Sequence, residues 1–245
     1  MTTAGTRQEN GQSSALMTLI RAIASRDQQE ASRLLDASPA LARQGAEIGA
    51  TRQVSTDYYF KEIEHYVYGG DTALHIAAAA YALEISKQLL AKGASVRARN
   101  RRGAEPLHYA VDGSPASHTW NPTAQQAIVE CLIEAGADPN SADKSGVTPL
   151  HRAVRTRCTA AVRTLLENGA QPRLKNGSGS TPLHLAVQNT GRGGSGSSES
   201  REQQREIILL LLKHGARPTD RDAAGKSVRE SVAVDWVLEV LGRSS

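Results

Sequence analysis

Apolar residues recur along this chain in short paired bursts, never in long runs. The first pair, SALMTLIRAIAS (Ser14–Ser25) and DQQEASRLLDAS (Asp27–Ser38), is amphipathic at helical spacing. From Thr72 onward a compact tetrapeptide is followed each time by a Leu-rich stretch ending in Gly-Ala. The tetrapeptides are TALH (Thr72–His75), EPLH (Glu105–His108), TPLH (Thr148–His151) and TPLH (Thr181–His184), with SVRE after Gly225 as a degenerate copy. The Leu-rich stretches end at Gly93, Gly136, Gly169 and Gly215, and each of these glycines lies ten residues before the next aligned glycine: Gly103, Gly146, Gly179 and Gly225. Thr148 and Thr181 suit N-caps, and Pro149 and Pro182 fall in a first turn, where a helix tolerates proline. The four Gly-Ala glycines sit where a helix end wants a left-handed residue. The pattern predicts short helix pairs, each too small to bury its apolar stripe alone and therefore stacked on its neighbours.

Counting from Gly70, successive aligned glycines lie 33, 43, 33 and 46 residues apart. Two intervals equal the ankyrin period. With "TPLHRAV…VRTLLENGA" and "TPLHLAV…IILLLLKHGA" in phase, the chain resembles the ankyrin repeat family over about residues 67–241. The resemblance implies an all-α ankyrin-repeat solenoid with hairpin fingers, an aromatic-rich N-terminal insertion and two helix–helix loop insertions. Its expected parts are a disordered segment (1–13), a capping helix pair (14–44), an insertion (45–69), four repeats (70–102, 103–145, 146–178 and 179–221) and a C-terminal capping repeat (222–245). In that last repeat Trp236, Val237, Leu238 and Leu241 are expected to face inward.

In an array built from one unit, function is expected in the departures from it. The insertion at 45–69 holds Tyr58, Tyr59, Phe60, Tyr66 and Tyr68, five of the nine aromatics in the chain, which marks it as a candidate contact element. STDYYFKEIEHYVY reads as a short helix, which offers a second role: Tyr59, Ile63 and Tyr66 packed as a satellite core, with Tyr58, Glu62 and His65 exposed. A second insertion, DGSPASHTWNP at about residues 112–122, carries Trp120, a ring that must fold back or meet a partner; Asn121 and Pro122 look like a helix restart. The third, TGRGGSGSSES at about residues 190–200, occupies the same slot two repeats on. The two loops are expected on one edge, on the order of 20 Å apart.

Charge adds a direction. The chain carries only +4, but residues 93–176 hold eleven Lys and Arg against seven Asp and Glu. By family position Arg101 and Arg102 lie on one finger, Lys144 on the next, Arg155 on an inner helix and Lys226 on the last finger, lining the concave groove. An acidic protein partner is favoured over nucleic acid, since the one basic cluster, RARNRR at Arg97–Arg102, is short.

Catalytic chemistry is not legible. Gly191–Gly196 matches GxGxxG but follows a TPLH helix instead of a strand, and Gly225-Lys226-Ser227 has Asp220 where a P-loop needs its first glycine. Neither HExxH nor GxSxG occurs. The in-phase His75, His108, His151 and His184 are one helix layer apart, too far to share an ion held at about 2.0–2.1 Å, and resemble the structural histidine of ankyrin repeats. No metal and no cofactor is expected. Cys131 and Cys158 lack CxxC spacing, the N-terminus has no export pattern, and the longest apolar stretch, Ile207–Leu212, is too short to span a bilayer. A soluble, cytoplasmic, monomeric, non-enzymatic protein-binding module is the expectation. The competing reading is a receptor for an anionic metabolite, held by the aromatic insertion and the basic groove.

Overall fold

A computed structural model describes residues 5–113, 117–118, 120–188 and 197–242. They fall into two compact units, one made of Met1–Ala110 and Ala127–Ala137, the other of Val111–Gln126 and Asp138–Ser245.

In the first unit, α1 (Gly5–Ala24) packs on α2 (Gln28–Ala37) and on α3 (Ala73–Ala79). The α1 stripe Leu16, Leu19, Ile20 and Ile23 is buried, at the spacing expected of one helical face. Asp27 caps α2 by accepting from Glu30 N–H. In turn α3 contacts α4 (Leu83–Ala91) and α5 (Pro106–Ala110). These two helices fall on the paired amphipathic segments of the sequence, and α1 starts at Gly5, inside the stretch expected to be disordered.

The helix expected from STDYYFKEIEHYVY is not formed. A 3-10 turn (Thr56–Tyr58) leads into β1 (Tyr59–Phe60), paired antiparallel with β2 (His65–Tyr66) in the register Tyr59↔Tyr66 and Phe60↔His65. Glu64 adopts φ 50°, which turns the chain where a helix would continue. Two aromatics opposite each other also suit a pleated pair. Outward from β1 and β2, Val67 N–H donates to Tyr58 C=O (2.9 Å), Ala50 N–H to Val67 C=O (2.7 Å) and Ala46 N–H to Asp71 C=O (2.7 Å), so residues 45–50 lie along 67–72. A side chain at Gly49 would come within 2.5 Å of the backbone at Tyr68 and Gly69, which holds this position to glycine.

In the second unit, α7 (Pro149–Arg155) packs on α8 (Thr159–Glu167) and α9 (Pro182–Ala186), and α10 (Ser198–Lys213) packs on α8, α9 and α11 (Asp235–Gly242). Helix α6 (Pro122–Glu134) contributes residues to both units. It restarts as the Asn-Pro pair suggests, with Asn121 Oδ1 accepting from Ala124 N–H. The expected closing helix pair is shorter than read: its first member is a 3-10 turn (Arg229–Ser231), and Val237, Val240 and Leu241 are buried while Trp236 and Leu238 are half-buried. The third insertion falls largely on 189–196, outside the described residues, and α10 starts within its last part.

Two devices repeat through both units. Nδ1 of His75, His151 and His184 accepts from the N–H of Thr72, Thr148 and Thr181, so that Nε2 donates onward, to Ala104 C=O (3.1 Å), Ser180 C=O (3.0 Å) and Lys226 C=O (3.3 Å). Each histidine thus closes its own helix start and ties it to the next repeat. Each finger is a tight turn built on an Asn or Asp: the side chain of Asn100, Asp143, Asn176 or Asp222 accepts two backbone N–H groups. Fingers join edge to edge within a unit, Arg101 N–H to Gly69 C=O (2.7 Å) in the first and Gly177 N–H to Ser145 C=O (2.7 Å) in the second.

Candidate functional site

The hairpin at 45–72 brings most of the candidate residues together. Alternation along the pleat turns Tyr59 and Tyr66 to one side and Phe60 and His65 to the other. Tyr59 and Tyr66 stack with ring centroids 4.8 Å apart and stay exposed, at 40% and 36%. They are surface rings, not the satellite core that helical spacing offered; of that trio only Ile63 is buried. Tyr66 lies 6.2 Å from Tyr68, and Tyr68 carries the guanidinium groups of Arg101 (5.4 Å) and Arg102 (4.4 Å) over its ring. Tyr58 and Phe60 are half-buried. On the inner side the His65 ring rests against buried Tyr109 at 4.3 Å.

Beneath this surface lies a polar junction that the sequence reading missed. The fully buried Asp71 carboxylate accepts from Tyr109 Oη (2.8 Å), Asn100 Nδ2 (2.9 Å) and Tyr68 N–H (2.6 Å). A buried carboxylate is tolerable only when donors surround it. Here those donors come from the hairpin, a finger and α5, so one side chain fixes all three. Burial pushes the neighbouring His75 imidazole below its ordinary pKa, although Asp71 works against the shift.

The four candidates of the second unit do not assemble. Trp120 is half-buried and folds back, its Nε1 donating to Gln125 Oε1 (2.9 Å). Cys158 donates to the same oxygen (2.6 Å), and burial raises its thiol pKa. Arg155 is exposed, 4.0 Å from Asp112 Oδ1, while Lys144 and Lys226 are exposed on their fingers. Among the described residues no hydrogen bond, ion pair or ring contact joins any of these four to another. The charged group that does organise this unit is Arg152, which the sequence reading passed over. It is 8% exposed and held by Asp112 (2.6 Å) and Asp143 (3.3 Å). Burial alone would lower its pKa; Asp112 first and then Asp143 outweigh that and raise it.

An open depression of about 390 Å³ lies beside the hairpin, lined by Glu47, Ile48, Gly49 and Arg99–Arg101 among others, and none of the tyrosine rings lines it. Among the described residues no helix is long and apolar enough to cross a membrane. A search of curated proteins finds no match to the chain. Residues 19–118 and 123–222, most of the sequence, match the family model described as ankyrin repeats (3 copies), and the chain therefore belongs to the ankyrin-repeat family.

Proposed function

We propose that this chain is a non-enzymatic protein-interaction module whose contact surface is the Tyr–Arg hairpin of its first unit. Ankyrin repeats are generally protein–protein interaction modules, and the partner-binding role assigned here to particular residues goes beyond that. One observation carries the assignment. Of the five large hydrophobic side chains left exposed among the described residues, Ile48 (64%), Val54 (45%), Tyr59 and Tyr66 belong to residues 45–69, and only Leu209 lies elsewhere. Apolar exposure concentrated in one insertion is what a docking surface requires, whereas exposed residues scattered singly mean little. Tyrosines beside arginines are also the residue types that dominate interface energetics.

The remaining basic candidates are assigned lesser roles. Arg155 is partly neutralised by Asp112, and Lys144 and Lys226 stand on fingers of the second unit, where they tune the field around a partner without anchoring it.

Affinity capture with the full chain tests the placement. Wild type, Tyr59→Ala/Tyr66→Ala and the control Leu209→Ala are compared, and any captured protein is then titrated in purified form. A partner retained by wild type and by Leu209→Ala, but weakened about 10-fold or more by the double variant, supports the proposal. Equal recovery by all three rejects it.

A further inference from the structure

The finger that meets the hairpin carries four arginines in six residues, Arg97, Arg99, Arg101 and Arg102, and their guanidinium groups are not equivalent. Arg97 Nε donates to Gly136 C=O (3.3 Å), Arg99 Nε to Glu105 Oε1 (3.0 Å), and Arg101 Nη2 to Ala50 C=O. Among the described residues the Arg102 guanidinium has only the face of Tyr68, 4.4 Å away, and no carboxylate pairs with it. Stacking on a ring restrains a guanidinium while leaving its N–H edge in the plane and free to donate. The result is a restrained, exposed cationic fork with its hydrogen bonds unused.

We propose that Arg102 is a carboxylate-binding fork, and that this surface takes an extended peptide segment bearing Asp or Glu among alternate apolar side chains. The inference rests on the hairpin being the contact surface. A carboxylate fits better than a phosphate group, because phosphate sites gather several unengaged cations and here the neighbouring Arg101 is already committed to Ala50. The apolar part follows from the ladder that continues from Arg102: Tyr68, Tyr66 at 6.2 Å and Tyr59 at a further 4.8 Å. Same-side chains of an extended peptide repeat every second residue, about 6.5–7 Å apart, comparable with the 6.2 Å step from Tyr68 to Tyr66 along the strand. A carboxylate on Arg102 therefore leaves a following same-side residue to reach Tyr66, where Tyr59, opposite it on the neighbouring strand, widens the apolar platform.

The test pans phage-displayed random peptides against the full chain. The enriched peptides are synthesised and titrated by fluorescence polarisation against wild type, Arg102→Ala, Arg102→Glu and Tyr59→Ala/Tyr66→Ala. All three positions are exposed, and circular dichroism confirms that each variant is folded. The expected peptides carry Asp or Glu between apolar residues, lose about 10-fold or more in affinity on Arg102→Ala, and recover on Arg102→Glu when the acidic residue is changed to Lys. Neutral or basic peptides that need Tyr59 and Tyr66 but ignore Arg102 overturn the carboxylate fork and leave the contact surface standing. Peptides indifferent to every variant, or no enrichment above a blank, overturn both.

Discussion

The segments at 45–71 and 111–121 both interrupt the repeat pattern, both carry aromatic residues, and treat them in opposite ways. The first turns Tyr59 and Tyr66 into solvent; the second folds Trp120 back onto Gln125. Each is anchored by one buried charge, of opposite sign. Asp71 ends the first segment as a carboxylate gathering neutral donors, whereas Asp112 in the second is gripped by the Arg152 guanidinium. What decides the fate of a ring is the polar atom the core offers it. Gln125 is fully buried with an oxygen open to the indole N–H, while on the outer face of the hairpin Tyr59 finds only Tyr66.

Removing the anchors breaks the comparison most severely. Arg152→Ala takes the buried cation from Asp112 and Asp143, leaving Asp112 only the exposed Arg155 at 4.0 Å, and is expected to destabilise the second unit by about 3–5 kcal/mol. Asp71→Ala strips the acceptor from two buried side-chain donors and the half-buried Tyr68 N–H, and is expected to cost about 3 kcal/mol. Urea denaturation gives the totals and hydrogen exchange gives the location: exchange should speed up around 111–125 in the first variant and around 58–72 in the second. Identical exchange maps for the two would mean that these charges do not anchor their own segments. Trp120→Ala removes a half-buried ring and a donor to Gln125 Oε1, with an expected loss of about 1–3 kcal/mol.

Both anchors were visible in the sequence, though not as what they are. In the slot before the helix-starting Thr or Glu, the repeats read Asp71, Ala104, Val147 and Ser180; in the slot after His they read Ile76, Tyr109, Arg152 and Leu185. A lone carboxylate and a lone guanidinium in slots otherwise small or apolar are the signal that aligning the repeats exposes. The helix pairs, the Thr–His helix starts and the left-handed glycines were legible because each depends on a few adjacent residues; Gly93, Gly136, Gly169 and Gly215 all have positive φ. The hairpin was misread as a helix because Tyr59 and Tyr66 are seven apart, which a helical face and a cross-strand pair satisfy equally well. Which basic residues remain free was not legible at all. That depends on partners such as the Ala50 carbonyl and Asp112, which only the fold brings to Arg101 and Arg155.

Acid should affect the two units alike, because the buried histidines belong to the repeats and not to the insertions. Burial holds His75 and His151 below the ordinary value of 6.5, so each stays neutral in the fold while the unfolded chain takes up a proton. The unfolded state then binds more protons. Stability falls as pH drops below about 6.5, by up to about 1.4 kcal/mol per pH unit for each histidine, and these two contribute no slope above that pH. Urea midpoints at pH 7.5 and 5.5 measure it, and His151→Asn should flatten the dependence. A flat profile in the wild type would contradict the neutral, acceptor-at-Nδ1 state assigned to both rings.

Tyr59→Ala should have the smallest effect on stability, and that is its diagnostic value. The ring is 40% exposed and meets the ring of Tyr66, so an aromatic pair worth about 0.5–1 kcal/mol is what folding loses. Trp120→Ala, by contrast, opens a hydrogen-bonded site. If folding alone accounted for both aromatics, the two losses would be similar, and the exposure of Tyr59 would be incidental. A side chain that contributes little to the fold and displays its face to water is instead available for a contact outside the chain. Matched denaturation curves of the two variants decide this: a loss for Tyr59→Ala as large as that for Trp120→Ala removes the distinction between the segments, and with it the reason for placing the contact surface on the hairpin.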